Sequence, residues 1–108
     1  MEIKFSLQNK GVVITGGGSG IGKAIAKTFA ERGADVHILD FNMETATNTA
    51  DEINTKGFKA TAYHCNVADY KQVSEIVNQV SKLVSVDILI NNAGVAHVGN
   101  LEACSEED

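Results

Sequence analysis

Short apolar runs alternate along the chain with longer segments in which apolar residues recur three and four positions apart. The short runs are rich in β-branched residues, which predicts strands, and the longer segments predict amphipathic helices. The predicted strands are residues 11–15, 35–40, 59–65 and 87–91. The predicted helices are residues 20–32, 43–56 and 70–84. Gly33 and Gly57 follow the first two helices, where a glycine commonly ends a helix, so the predicted order is βαβαβαβ.

This order favours a parallel sheet, because strands joined through a helix run in the same direction and cross over right-handedly. Residues 12–14 and 88–90 are continuously apolar, which is typical of strands covered on both faces. The sequence therefore predicts the doubly wound α/β class. With 108 residues, the chain is long enough for one small domain.

Charge and composition exclude several classes of function. The net charge is −5, and four of the fourteen acidic residues fall in the last seven positions. A nucleic-acid-binding protein needs a basic face, which this sequence does not offer. No stretch approaches the roughly 20 apolar residues of a membrane span, and no signal peptide is recognisable, so we expect a cytoplasmic protein that binds neither nucleic acid nor membrane.

A cluster of glycines, TGGGSGIG at residues 15–22, lies between the first strand and the first helix. Glycines at such a turn let the backbone approach a pyrophosphate, and the helix N-terminus attracts its charge. A P-loop would need a hydroxyl where Ala24 stands, and no frame of the cluster fits GxGxxG. The pattern TGxxxGxG is matched completely by Thr15, Gly16, Gly20 and Gly22.

A second motif, Asn-Asn-Ala-Gly at residues 91–94, follows the fourth strand. With both motifs in this order, the chain resembles the short-chain dehydrogenases/reductases (the SDR family) over essentially its whole length. The resemblance implies the N-terminal part of a Rossmann fold and an oxidoreductase that transfers hydride between a nicotinamide cofactor and an alcohol or carbonyl substrate.

The choice of cofactor depends on Asp40, at the end of the second strand. A carboxylate there can accept a hydrogen bond from the ribose 2′-hydroxyl of NAD and would repel the 2′-phosphate of NADP. Phe41 and Asn42 add no cation, and Ser19 stands where NADP-using relatives often have Arg or Lys. We therefore expect NAD, although an aspartate that merely caps the following turn would give the same sequence.

The resemblance assigns further residues to the cofactor. Asn66 and Val67 would hold the adenine, residues 92–94 would lie against the ribose, and Ile21 would lie near the pyrophosphate and the nicotinamide. Asn91 would instead tie neighbouring strands together, and Asp69 would cap the third helix. The predicted cofactor-binding residues are Gly16, Gly18, Ser19, Gly20, Ile21, Gly22, Asp40, Asn66, Val67, Asn92, Ala93 and Gly94.

No catalytic residue is predicted. The family's proton donor is a tyrosine with a lysine four positions later, whereas Tyr63 is followed by Val67 and Tyr70 by Ser74. In the family these groups come further beyond the NNAG motif than Asp108, so we expect residues 1–108 to be an NAD-binding portion that ends before the catalytic region. The resemblance also implies a small-molecule substrate and a homo-oligomer for the full-length enzyme.

Two alternatives remain open. The first is a module that binds NAD without catalysis, which a downstream Tyr-x-x-x-Lys pair would argue against. The second is an epimerase or dehydratase of the extended branch, whose TGxxGxxG pattern has a glycine where this chain has Ser19.

Overall fold

The computed structural model describes residues 6–92, which form one parallel four-stranded sheet with three helices. The elements are β1 (Gly11–Thr15), α1 (Gly20–Glu31), β2 (Asp35–Asp40), α2 (Met43–Thr55), β3 (Lys59–His64), α3 (Tyr70–Ser81) and β4 (Val86–Asn91). The strand order is β3-β2-β1-β4, so the chain builds outward from β1 in one direction and then returns to its other side. This order confirms the predicted doubly wound sheet.

The predicted helix ends were wrong by one to three residues. All three helices close with a backbone bond from a residue to the carbonyl three positions earlier, as in Arg32 to Phe29 and Lys82 to Gln79. Such bonds tighten the last turn and end the helix while apolar residues continue at the same spacing. The largest error is at α3, which ends at Ser81 although Leu83 and Val84 extend the apolar pattern.

Two hydrophobic clusters cover opposite faces of the sheet. The larger one joins alternate residues of β1 and β2, such as Ile14 and Ile38, to the small side chains of α1 and α2. The smaller one joins Val13 and Leu39 to Val80 of α3. Because both faces are covered, β1 is buried along its whole length, as its continuous apolar sequence predicts. None of the helices in residues 6–92 is both long and apolar enough to span a bilayer.

Side-chain caps fix the starts of two helices close to the carboxyl ends of the strands. The Oδ1 of Asn42 accepts a hydrogen bond from the backbone N–H of Thr45 at 3.2 Å, which starts α2 directly after β2. Asp69 accepts from the N–H groups of Lys71 and Gln72 and starts α3, so the predicted capping role of Asp69 is confirmed.

His37 is a buried histidine in the centre of the sheet. It lies on β2, is 3% exposed, and places its Nδ1 2.9 Å from the hydroxyl of Tyr63. Its Nε2 lies 3.2 Å from Asp35 Oδ1 but makes no hydrogen bond within the described part of the chain. Burial lowers the pKa of His37 below its usual value and outweighs the opposing attraction of Asp35, because the charged imidazolium loses its hydration.

This burial predicts a stability that decreases in acid. In the unfolded chain the imidazole binds a proton near pH 6.5, whereas in the folded chain it binds one only at lower pH. The unfolded state therefore gains protons first, and the free energy of unfolding decreases by up to about 1.4 kcal/mol per pH unit below about pH 6.5. Thermal melts between pH 7.5 and 5 measure this slope, and His37→Gln should flatten it.

His64→Asn is the matched control, because His64 is exposed at the end of the neighbouring strand. The control should keep the slope of the original protein. A His37→Gln protein that melts with the same pH dependence as the original would contradict the assignment.

Candidate functional site

The loop at residues 16–19 lies at the carboxyl end of β1. At this strand the order of the sheet reverses, because successive strands are added on opposite sides of β1. The chain leaves β1 through α1 towards β2, while β4 lies on the other side of β1. In open α/β sheets the connections on the two sides of such a point leave a crevice, and ligands bind there. The glycine cluster of the sequence therefore occupies the position in this fold that is best suited to a ligand.

Two glycines, one in this loop and one at the first position of α1, have backbone conformations that other residues rarely adopt. Gly16 has φ 72° and Gly20 has φ 60°, both in the left-handed region. The N–H of Gly16 donates to the carbonyl of Leu39 at 2.7 Å, which anchors the turn to β2. A Cβ on Gly20 would meet no atom of residues 6–92 within 4 Å, so within this part of the chain the backbone faces open space that a ligand could fill.

Gly22 is required for a different reason, namely the close packing of α1 against the loop. It is buried in the first turn of α1, and a Cβ there would run into the carbonyl oxygen of Gly16 and come within 2.6 Å of the Nδ2 of Asn92. That same Nδ2 donates to the Gly16 carbonyl at 3.1 Å. Gly22, Gly16 and Asn92 thus form one tightly packed junction between helix, loop and β4.

The N-terminus of α1 is open towards the loop. Ser19 is its N-cap residue and is exposed, and its side chain makes no capping hydrogen bond to the described residues. The first turn has no acidic residue. The free N–H groups and the positive end of the helix dipole can therefore bind an anionic group. Ile21, 74% exposed, lies in the same turn.

Asp40 connects the end of β2 to the glycine loop. Its Oδ2 accepts a hydrogen bond from the N–H of Gly18 at 3.0 Å, and its Oδ1 accepts from the N–H of Asn42 at 3.0 Å. The second bond is the turn cap that the sequence left open as an alternative; the first is not explained by a turn. Each carboxylate oxygen keeps further lone-pair capacity, so Asp40 is held in one orientation and can still accept bonds from a ligand.

Thr49, in the middle of α2, also holds the loop, and sequence reasoning missed it. Its side chain is fully buried, and its Oγ1 donates to the carbonyl of Gly18 at 3.0 Å. A signal was available, because Thr49 shares the buried face of α2 with Ala46, Ala50 and Ile53. A hydroxyl on an apolar face needs a hydrogen-bond partner, and the nearest loop supplies it.

Both asparagines at the end of β4 contact the neighbouring strand or its loop. Asn91 Oδ1 accepts from Thr15 Oγ1 at 3.0 Å, which confirms the predicted role of Asn91 as a tie between strands. Asn92 bonds to the Gly16 carbonyl, as described above. The other two predicted residues of this segment, Ala93 and Gly94, lie outside the described residues.

Asn66 and Val67 lie beyond β3, two strands from the glycine loop. They follow Cys65, whose N–H donates to the Asp40 carbonyl at 3.0 Å. Asn66 is exposed and its Oδ1 accepts from the N–H of Ala68 at 3.1 Å, while its amide nitrogen has two N–H groups that can donate. Val67 packs against the smaller hydrophobic cluster. Nearby, the ring centroids of Phe41 and His64 are 5.8 Å apart.

The structure thus joins five predicted residues by hydrogen bonds or close packing, and the other predicted residues within 6–92 lie at the same edge of the sheet. The linked residues are Gly16, Gly18, Gly22, Asp40 and Asn92. A recess of about 270 Å³, lined by residues that include Gln8, Arg32 and Phe58, contains none of the predicted residues. Among the described residues, no three His, Cys, Asp or Glu side chains come together as a metal site.

Two lysines of α1 form ion pairs with one glutamate of α2. Lys23 and Lys27 each place Nζ 3.0 Å from an oxygen of Glu52. Hydrogen bonds from Lys23 and then Lys27 hold the pKa of the Glu52 carboxyl below its usual value. Lys23, which occupies the lysine position of a P-loop pattern, therefore pairs with a neighbouring helix, in agreement with the exclusion of a P-loop from the sequence.

Comparisons with known proteins agree with this geometry. The family model described as short chain dehydrogenase matches residues 10–108. An uncharacterized oxidoreductase of Thermotoga maritima is 45% identical over 105 residues, which is 96% of this chain and 41% of that protein. The 7alpha-hydroxysteroid dehydrogenase of Escherichia coli K12 is 45% identical over 89 residues, which is 82% of this chain and 35% of that protein.

A solved structure of a 7alpha-hydroxysteroid dehydrogenase, complexed with NADH and 7-oxo glycochenodeoxycholic acid, superimposes with a TM-score of 0.73 at 39% identity. The match covers 78% of this chain and 33% of that one. By length, the chain spans 35–41% of the two curated relatives, the oxidoreductase of Thermotoga maritima and the dehydrogenase of Escherichia coli. From the family-model match over residues 10–108 and from these relatives, we conclude that the chain belongs to the short chain dehydrogenase family.

Proposed function

We propose that this chain binds NAD and supplies the dinucleotide-binding portion of an NAD-dependent oxidoreductase. The observation that carries the proposal is the fixed carboxylate of Asp40, held by the Gly18 N–H at 3.0 Å beside an open glycine turn. The related hydroxysteroid dehydrogenase solved with NADH supports the same cofactor. Residues 1–108 form this portion, and none of them is assigned to proton transfer.

The pyrophosphate of NAD fits the loop and the start of α1. An anion there would meet the N–H groups of the first helical turn beside Ser19 and Gly20, which are exposed and carry no bulky side chain. Gly16 and Gly18 would shape the turn that holds these groups in place. The side of Gly20 on which a Cβ would lie is open, so the backbone itself can approach the phosphates. Gly22 keeps α1 close enough to the loop for this arrangement.

The adenosine end of the cofactor would bind at the ends of β2 and β3. Asp40 would accept hydrogen bonds from the ribose hydroxyls, and its charge would repel a 2′-phosphate. Asn66 would donate to the adenine, with Val67 as an apolar neighbour, while Asn92, Ala93 and Gly94 would lie against the second ribose. Ile21 would contact the pyrophosphate and nicotinamide side of the cofactor.

When bound, the nicotinamide ring would supply the hydride chemistry, accepting hydride from an alcohol or giving it to a carbonyl. The residues of this chain would orient the cofactor and set its identity. We propose a small-molecule alcohol or carbonyl substrate and a homo-oligomeric enzyme, on the strength of the family assignment.

Titration calorimetry with NAD and NADP tests the proposal. The protein should bind NAD at least tenfold more tightly than NADP, because the 2′-phosphate would be placed against the Asp40 carboxylate. Asp40→Asn keeps an oxygen for the Gly18 N–H but removes the charge, so it should weaken NAD binding and bring the two affinities within about threefold of each other.

Asp51→Asn is the matched control, because it makes the same charge change at an exposed position of α2. This control should leave both affinities unchanged. If the protein binds no NAD, the proposal fails. If it binds NAD but Asp40→Asn keeps the full preference, Asp40 loses its assigned role.

A further inference from the structure

Gly18 is held from two sides by neighbouring elements. Its N–H donates to Asp40 on β2, and its carbonyl accepts the bond from the hydroxyl of Thr49 on α2, each at 3.0 Å. The peptide groups that carry these atoms flank one Cα, so a shift of the Gly18 carbonyl also moves the Gly18 N–H. The hydroxyl of Thr49 therefore acts on the carboxylate of Asp40 through a single residue.

The packing around Gly18 leaves little room for other positions of the loop. A Cβ on Gly18 would lie 2.6 Å from Thr45 Oγ1, 2.7 Å from Asp40 Oδ2 and 2.9 Å from the Ala46 nitrogen. The loop backbone is thus pressed against the start of α2, and Thr49 holds it from one turn further along the same helix. Thr49 itself has no exposed surface, so it cannot contact a ligand in the crevice.

We propose that Thr49 is a positioning residue for cofactor specificity. It fixes the Gly18 carbonyl, which fixes the Gly18 N–H, and this donor holds the Asp40 carboxylate in the orientation that accepts the ribose hydroxyls of NAD. The inference rests on the proposed function, because it describes how the same site distinguishes NAD from NADP.

The physical reason is the free-energy cost of leaving a buried carbonyl without a hydrogen-bond partner. Thr49→Val keeps the shape of the side chain but removes the donor, so the buried Gly18 carbonyl loses its hydrogen bond. The loop can regain a partner only by moving towards solvent, and this movement breaks the bond between Gly18 and Asp40. The carboxylate then becomes free to rotate, and part of its selectivity for the ribose hydroxyls is lost.

The experiment measures the dissociation constants for NAD and NADP, with the melting temperature, for the original protein and three variants. Thr49→Val should weaken NAD binding roughly tenfold and change NADP binding less than threefold, so the preference for NAD decreases. Thr49→Ser keeps the hydroxyl and should bind both cofactors within about threefold of the original protein.

Ile53→Val is the control for the stability of α2. Ile53 lies one turn further along the buried face of the helix, so this variant should lower the melting temperature without changing the preference for NAD. If Thr49→Val does not fold, Thr49→Cys takes its place, because the S–H group is only a weak donor.

The outcomes separate this inference from the proposed function. If the original protein binds NAD and Thr49→Val keeps its affinity and preference, the positioning role is wrong while the proposed function stands. If Ile53→Val loses the preference as well, general loosening of α2 explains the effect and the inference is overturned. An original protein that binds no NAD overturns the proposed function instead.

Discussion

Replacing Gly22 with alanine is expected to weaken NAD binding by at least about a hundredfold. The added methyl group would run into the Gly16 carbonyl and come within 2.6 Å of Asn92 Nδ2. To make room, either α1 moves away from the loop or the Gly16 peptide turns. Each movement displaces backbone that we propose binds the pyrophosphate, and a hundredfold change corresponds to about 2.7 kcal/mol.

Helix propensity opposes this effect but is too small to compensate for it. Alanine in place of glycine within a helix is ordinarily favourable by about 1 kcal/mol. Overpacking a tight contact costs about 1–3 kcal/mol, and the loss of the bond between Asn92 and the Gly16 carbonyl adds about 1 kcal/mol. The substitution should therefore lower both the melting temperature and the affinity for NAD, which differential scanning fluorimetry and calorimetry measure.

Gly57→Ala separates the local clash from the general cost of losing a glycine. Gly57 has φ 91° and lies in the turn before β3, and its Cβ position has no neighbour within 4 Å among the described residues. Alanine there should cost about 1–2 kcal/mol of stability through backbone strain and leave NAD binding unchanged. If Gly22→Ala binds NAD as tightly as the original protein, the packed junction does not shape the cofactor site.

The fold could be predicted from the sequence because each element has its own local signal. The apolar run of β1 is continuous because both faces of that strand are covered, and Gly33 and Gly57 both have positive φ after a helix. The expectation that residues 88–90 are also covered on both faces was wrong for the described part of the chain, where β4 is an edge strand and Leu89 is 56% exposed. The ends of the helices could not be predicted as well. At α3 the apolar pattern continues through Leu83 and Val84, and only the backbone bonds decide where the helix stops.

The candidate site was predicted only in part, for a different physical reason. The motif identified the loop glycines, and the position at the end of β2 identified Asp40. Neither indicates that Gly18 would join Asp40 to Thr49, since these residues are 22 and 31 positions away from Gly18. Contacts of this kind depend on how α2 packs on the sheet, and only the folded structure contains that information.

Replacing Ile38 with alanine is expected to cause the largest loss of stability. Ile38 is fully buried in the middle of β2, where it is paired with Ile14 on one side and Ala62 on the other. Removing both branches of the side chain beyond Cβ leaves a cavity, which typically lowers the free energy of unfolding by about 2–5 kcal/mol. The free energy of unfolding of a domain of this size is about 5–15 kcal/mol in total. The melting temperature of the variant should therefore decrease by roughly 10–30 °C.

Two further substitutions show whether the loss comes from burial. Ile38→Val removes one methylene and should cost about 0.5–1.5 kcal/mol, whereas Leu83→Ala, at a side chain that is 73% exposed, should change stability by less than about 0.5 kcal/mol. Equal losses of stability for Ile38→Ala and Leu83→Ala would contradict the packing described above.

Ile38 also supports the loop, because a Cβ on Gly17 would lie 3.0 Å from its Cγ2. We therefore expect Ile38→Ala to weaken NAD binding as well, since the cavity would open directly beneath the glycine turn.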